Sequence, residues 1–137
     1  MTKPIPQVSK YMSTAPHTAR PSLTLAQAMK LMKEHQIRHL PILDGNQLVG
    51  ILSERDIRMV ESFKGVDATK VLVEDAMEQN VYVVPPGAPL DQVVSEMASK
   101  KYGSAVVMQN LNVVGIFTAV DAMSALSELL HTRLAHT

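Results

Sequence analysis

Two short runs of this chain place a hydroxyl and a carboxylate three residues apart: Ser53-Glu54-Arg55-Asp56 and Thr118-Ala119-Val120-Asp121. Each follows a Gly-Ile pair, Gly50-Ile51 in one run and Gly115-Ile116 in the other. A carboxylate can accept hydrogen bonds from both hydroxyls of a vicinal diol. A serine or threonine hydroxyl, with free backbone N–H groups at a helix start, suits the oxygens of a phosphate. The same Ser/Thr-x-x-acid pattern is also a helix cap, in which the acid bonds back to the cap residue. An isolated occurrence reads as a cap alone. Two at matched positions favour a cap that also binds a ligand.

The elements that must position these groups are written twice, 65 residues apart. The same offset that carries Asp56 onto Asp121 carries Met12 onto Met77, Pro21 onto Pro86, Leu25 onto Leu90, Met32 onto Met97 and Val49 onto Val114. One structural unit is therefore used twice. Leu25, Ala28, Met29 and Met32 mark one face of a helix, as do Leu90, Val93, Val94 and Met97. Thr24 and Gln27 form a capping-box pattern at the first helix start, and Pro89 holds the equivalent entry position in the second. Apolar runs at 39–43 and 104–108 predict strands, with Pro41 better suited to an edge or a strand start. Turn residues follow at 44–46 and 109–112, then second strands at 48–52 and 113–117, each leading into a helix near Ser53 or Thr118. Residues 81–84 add a short strand, and the last helix carries an apolar surface through Ala122, Ala125, Leu126, Leu129 and Leu130. The segment 63–70, with Gly65, reads as the connector.

At 137 residues the chain has the size of one ordinary domain, so the two repeats are expected to share one core. Hydrophobic residues make up 46% and charged residues 19%, which argues against disorder. The 13 basic and 13 acidic residues balance, giving no electrostatic reason to expect nucleic acid as a partner. The absence of cysteine removes disulfides, thiol chemistry and Cys-based zinc sites. No apolar run has the length of a signal peptide core or a membrane span, so the expectation is a cytoplasmic protein without membrane contact.

The two registered copies resemble a pair of CBS domains (cystathionine-β-synthase domains), the tandem unit called a Bateman module. The resemblance is carried by Ile37-Arg38-His39-Leu40-Pro41-Ile42-Leu43-Asp44, by Leu48 through Asp56, by their second copies, and by the Tyr11-Met12 and Ala76-Met77 starts. It covers residues 8 to 130 and implies an α+β fold: two βαββα repeats packed about a pseudo-twofold axis, with two clefts between them. The expected organisation is a flexible tail at 1–7, repeat 1 at 8–66, a connector at 67–72, and repeat 2 at 73–131 with its last helix extended to 137. The resemblance further implies a stand-alone regulatory module, dimerising with a second copy. It would sense AMP, ADP, ATP or S-adenosylmethionine and control a separate effector protein. Catalysis and a required cofactor are not implied. The competing reading is a dimeric interaction scaffold whose clefts hold no ligand.

Carried onto this sequence, the resemblance makes Asp56 and Asp121 the ribose-binding carboxylates. Asp121 would work with the entry segment 13–17 and with Ile37-Arg38; Asp56 would work with 78–82 and Tyr102-Gly103. The adenine side is then expected from Ser13, Pro16, His17, Ile37, Val81, Tyr82, Tyr102 and Gly103. Phosphate contacts are expected from Ser53, Thr118, Arg38, His39 and Arg55. The copies differ here: repeat 1 has Arg38, His39 and Arg55 where repeat 2 has Gly103, Ser104 and Val120, with Lys100 and Lys101 nearby. A guanidinium can grip phosphate through two hydrogen bonds, and a solvated or salt-bridged arginine is the alternative. His39 either titrates against a phosphate or is simply hydrogen-bonded.

Other chemistries are poorly supported. His35 and His39 have the spacing of two metal ligands on a helix, but Pro41 and the change to a strand pattern argue against one helix carrying both. His131 and His136 are weaker still. Ser53, His39 and Asp56 lack a Gly-x-Ser-x-Gly elbow, and spacing alone does not make a triad. The nine methionines, Met29, Met32 and Met97 among them, read as adaptable core filler or as part of a partner-binding patch.

Overall fold

The structure is a computed structural model and describes residues 4–133. After a 3-10 turn at Val8–Lys10, the elements are β1 (Ser13–Thr14), α1 (Leu25–His35), β2 (His39–Asp44), β3 (Gln47–Ser53), α2 (Glu54–Glu61), α3 (Val73–Ala76), β4 (Val83–Val84), α4 (Leu90–Lys100), β5 (Ser104–Gln109), β6 (Asn112–Thr118) and α5 (Ala119–Arg133). The predicted helices and strands are present. His136, the tip of the N-terminal tail and the extension of the last helix to 137 lie outside the described residues.

The chain forms two compact units whose boundaries cut across the sequence repeat. One is continuous, Pro16–Val81; the other joins the segment up to Ala15 with the segment from Tyr82 onward. In the two-segment unit the sheet order is β1-β6-β5-β4, with β1 antiparallel to β6 and β4 parallel to β5. The continuous unit builds the same pattern around the β2-β3 hairpin, with single bridges in place of the outer strands. Ala19 bridges Ile42 and Ile51 bridges Glu78, and the residues 65 further on, or 65 before, make the equivalent pairs Val84–Val107 and Ser13–Ile116. The entry segment of each sequence repeat thus completes the sheet of the other copy.

Local chemistry explains the boundaries. The Thr24 hydroxyl accepts the Gln27 N–H at 3.2 Å while the Gln27 side chain accepts the Thr24 N–H at 3.0 Å, closing the capping box that starts α1. Pro89 holds the N-cap position of α4. Both helices end on a left-handed residue, Gln36 and Lys101. Pro41 lies inside β2, paired with Ile51. Its carbonyl accepts from Ala19, so the N–H that proline lacks would face the side bearing only one bridge. The predicted connector is tied down: Ala68 and Val71 carbonyls accept the Ala26 and Leu25 N–H groups at the start of α1.

Each unit has its own hydrophobic cluster. Each unit borrows an entry segment and so encloses its own hairpin and helices. Leu25, Ala28, Met32, Leu40, Ile42, Leu52 and Val73 fill one; Leu90, Val93, Met97, Ala105, Val107, Phe117 and Val8 are their counterparts in the other. Met29 packs against the first cluster, so these methionines are core residues. One exchange of volume stands out. Leu40 faces Leu52 across β2-β3, and the matched pair across β5-β6 is Ala105 opposite Phe117. A larger ring on one strand is offset by a smaller side chain on the other, as close packing requires.

This compensation predicts strong coupling. Ala105→Leu alone overpacks and should cost about 1–3 kcal/mol, and Phe117→Leu alone leaves a void. The double variant recreates the Leu–Leu pair of the other unit and should cost at least about 1 kcal/mol less than the sum of the singles, as measured by urea unfolding.

Candidate functional site

Both sheets deliver the hydroxyl–carboxylate pair in the same way. β3 ends at Ser53, which is the N-cap of α2 with extended backbone (φ −107°, ψ 157°). The Ser53 hydroxyl accepts the Asp56 N–H at 3.0 Å, and Asp56 Oδ2 accepts the Ser53 N–H at 2.9 Å. At the end of β6, Asp121 Oδ2 accepts both the Thr118 N–H at 2.8 Å and the Thr118 hydroxyl at 3.1 Å. The return bond from the Asp121 N–H to the Thr118 oxygen is longer, 3.4 Å. The capping half of the sequence reading is thus observed in both copies. Among the described residues the hydrogen bonds of both carboxylates use Oδ2, and neither carboxylate is in an ion pair. Oδ1 of each half-buried aspartate keeps its accepting capacity.

A second backbone tie sets the neighbouring wall. The Glu54 N–H bonds the Arg38 carbonyl at 2.8 Å, and the Ala119 N–H bonds the Gly103 carbonyl at 3.1 Å. Ile37-Arg38 is thereby held beside the cap of α2, and Tyr102-Gly103 beside the cap of α5. His39 is half-buried and opposite Ser53 in the hairpin register. Arg55 is exposed. The Arg38 side chain is 77% exposed, with its Nε 3.9 Å from Glu54 Oε2.

The remaining predicted residues divide between the units. Ser13 pairs with Ile116 and so joins the unit of Asp121, together with Tyr82, Tyr102 and Gly103. Pro16, His17, Ile37, Arg38 and Val81 belong to the unit of Asp56. Tyr82 and Tyr102 stack on one another, centroids 5.2 Å apart. Partial burial, with the Glu96 charge and Tyr102 nearby, raises the Tyr82 hydroxyl above its ordinary pKa. His17 stacks on His35 with centroids 3.7 Å apart. Among the described residues no group of three or more His, Asp or Glu side chains is placed to hold a metal ion. No helix among them is long and apolar enough to cross a membrane.

Two methionines escaped the sequence reading of the site. A Cβ on Gly50 would meet Met77 Sδ at 2.5 Å, and a Cβ on Gly115 would collide with Met12 Sδ. The repeated glycine of each Gly-Ile pair is therefore a place where a side chain from the borrowed entry segment lies flat on the strand leading to the cap. The matched Met12/Met77 and Gly50/Gly115 positions carried that signal as a pairing repeated at one offset, but nothing in one strand alone shows which segment covers it.

Electrostatics separate the copies. Glu54, the first residue of α2, accepts from Arg58 Nε at 2.8 Å. That bond, with the nearby Arg38 and Lys33 charges, holds its carboxyl below the ordinary glutamate range. The matched residues of α5, Ala119 and Met123, have no charge.

These two capped sheets define a duplicated βαββα architecture, and the chain belongs to the CBS domain family, whose model matches residues 8–62 and 73–128. Among solved structures it is similar to an acetoin utilization protein (AcuB) described as putative, from Vibrio cholerae, at 30% identity and a TM-score of 0.82. That match covers 98% of this chain and 99% of the other. It is also similar to the CBS domain pair of protein MJ0100, solved with 5′-methylthioadenosine and S-adenosyl-L-methionine. There identity is 30% and the TM-score 0.83, covering 91% of this chain and 98% of that one. A curated relative, L-aspartate semialdehyde sulfurtransferase of Methanocaldococcus jannaschii, is 34% identical over 123 residues, 88% of this chain. The chain spans only 23% of that enzyme's length.

Two outcomes follow from the site geometry. Ser53→Ala removes a cap acceptor and should lower stability by about 0.5–2 kcal/mol in denaturant unfolding. Glu54 has a depressed folded-state pKa, so its stabilising contribution is present above the ordinary glutamate value of 4.5 and is lost as pH falls through the folded-state value. The stability gap between wild type and Glu54→Gln should therefore be widest near neutrality and close in acid, as followed by unfolding midpoints across a pH series.

Proposed function

We propose that this chain is a regulatory module that senses an adenosine-containing ligand, whether AMP, ADP, ATP or S-adenosylmethionine, and passes its occupancy to a separate effector protein. The observation that carries the reading is the half-buried aspartate at the end of both Gly-Ile strands, oriented by its own cap bonds through Oδ2 with Oδ1 left to accept. A carboxylate held in advance loses little freedom when a ribose diol docks on it. The solved MJ0100 pair, whose complex contains two adenosine compounds, supports adenosine as the shared part of the ligand.

In this reading Asp56 and Asp121 hold ribose, and Ser53, Thr118, Arg38, His39 and Arg55 serve the phosphate or other tail. Ser13, Pro16, His17, Ile37, Val81, Tyr82, Tyr102 and Gly103 form the adenine side. The module binds without breaking a bond in its ligand and needs no cofactor. It works as a homodimer, for which the exposed Val120, Met123, Leu126 and Leu130 of α5 supply an apolar face. The ligand shifts the module between states only by its differential affinity for them.

The test is calorimetry with AMP, ATP, S-adenosylmethionine and 5′-methylthioadenosine on Asp56→Asn, Asp121→Asn and the double variant. Asparagine keeps an oxygen for the cap while removing the charge, so loss of binding is separated from loss of the helix start. Each single variant should weaken one site by about tenfold or more, the scale of a charge-assisted hydrogen bond. Unchanged affinity in the double variant would remove the ribose assignment. No heat from any of the four compounds would favour the ligand-free scaffold.

A further inference from the structure

Glu54, the first residue of α2, is shared between two arginines. Arg58, one turn on in the same helix, donates to Glu54 Oε1 through Nε at 2.8 Å and through its Nη2. Arg38, from the segment between α1 and β2, has its Nε 3.9 Å from Oε2. The first contact is a charge-assisted hydrogen bond; the second is too long for one and is held by charge alone. The carboxylate is the fixed member of the group, with its side chain 24% exposed against 67% for Arg58 and 77% for Arg38. The Arg58 bond keeps its carboxyl below the ordinary glutamate range, so it is charged at neutral pH. Arg38 and Glu54 together line an open cavity of about 230 Å³, with Met32, Lys33, Gln36 and Ile37. The looser contact therefore borders open space.

Nothing in the backbone frame requires this group. The positions 65 residues on are Gly103, Ala119 and Met123, which carry no charge. Yet α5 starts there with the same carboxylate cap and the same bond from the N–H of residue 119 to the carbonyl of residue 103. The Glu54–Arg58 pair by itself is an ordinary i,i+4 support for a helix. The reach of Glu54 to Arg38 is a contact between elements, and it occupies a guanidinium that could otherwise grip an anion.

We propose that Glu54 is an internal competitor for Arg38, holding that guanidinium until the anionic tail of a ligand displaces it, and that Arg58 positions Glu54 so that the hold stays loose. The proposal rests on the adenosine-binding reading above and adds Glu54 as the residue that sets charge selectivity, with Arg58 acting through it. A ligand with an anionic tail must outbid Glu54 for Arg38. An uncharged adenosine compound gains nothing from the exchange and is indifferent to Glu54. Without Arg58, Glu54 has one cation left within reach and turns fully to it. The α5 cap, with Ala119 in place of the acid, has no such competitor.

Calorimetry with ATP and adenosine tests this on wild type, Glu54→Gln, Arg58→Met, the double variant and Glu61→Gln. Glu61 ends the same helix, is exposed and joins none of the ion pairs among the described residues, so it controls for net charge. Glu54→Gln should raise ATP affinity at one site about threefold or more, the scale of a surface ion pair, with adenosine changed less than about twofold. Arg58→Met should lower ATP affinity about threefold in the wild-type background and less than about twofold once Glu54 is glutamine. An ATP affinity not raised by Glu54→Gln, an equal rise in Glu61→Gln, or the same Arg58→Met effect in both backgrounds overturns the competitor while leaving the adenosine reading intact. Binding of neither compound by wild type or any variant overturns both.

Discussion

A two-stranded hairpin has two open edges, and here each is closed by a segment from outside its own sequence repeat or from its approach loop. Ser13 and Thr14 pair with Ile116 and Gly115, and Glu78 exchanges both backbone bonds with Ile51. An unpaired edge would leave a row of donors and acceptors open to pairing with another chain. Closing it this way also seats Met12 on Gly115 and Met77 on Gly50. The strands so covered are the ones that end in Thr118 and Ser53. The position of each candidate ribose-binding carboxylate therefore depends on a segment far from it in sequence.

Duplication preserved the frame and released the side chains. The core positions correspond closely at an offset of 65 residues, yet a Leu–Leu pair in one unit has become Ala–Phe in the other with close packing kept. The caps diverged more freely, because their backbone bonds do not specify the neighbouring side chains. Glu54 and Arg58 give the start of α2 an ion pair, while Ala119 and Met123 leave α5 uncharged at the same places. One frame can thus carry two sites of different electrostatic character.

That division bears on the regulatory role proposed above. A module with two non-equivalent sites can read two ligands, or two charge states of one, without any change of fold. Each ligand then biases the conformational equilibrium by its own difference in affinity. The apolar residues exposed along α5 have charged counterparts on α2, Val120 against Arg55 and Met123 against Arg58. Any association through that face is accordingly asymmetric between the two copies.

The helices, the hairpins, the capping box at Thr24 and the Ser/Thr-x-x-Asp caps were legible in the residues, because each is set by contacts within a few positions and by hydrophobic period. The family followed from the same local signals repeated in register. Tertiary structure decided what depends on distant partners. It placed residues 13–15 with the second sheet and 73–81 with the first, gave each unit a cluster completed by a borrowed segment, and gave Gly50 and Gly115 a methionine to accommodate. It also gathered Lys33, ahead of the strand, with Arg38 and Glu54 around one cavity. Periodicity tells a chain which face to bury, but which segment supplies the cover is settled only when open backbone edges and leftover volume find their match.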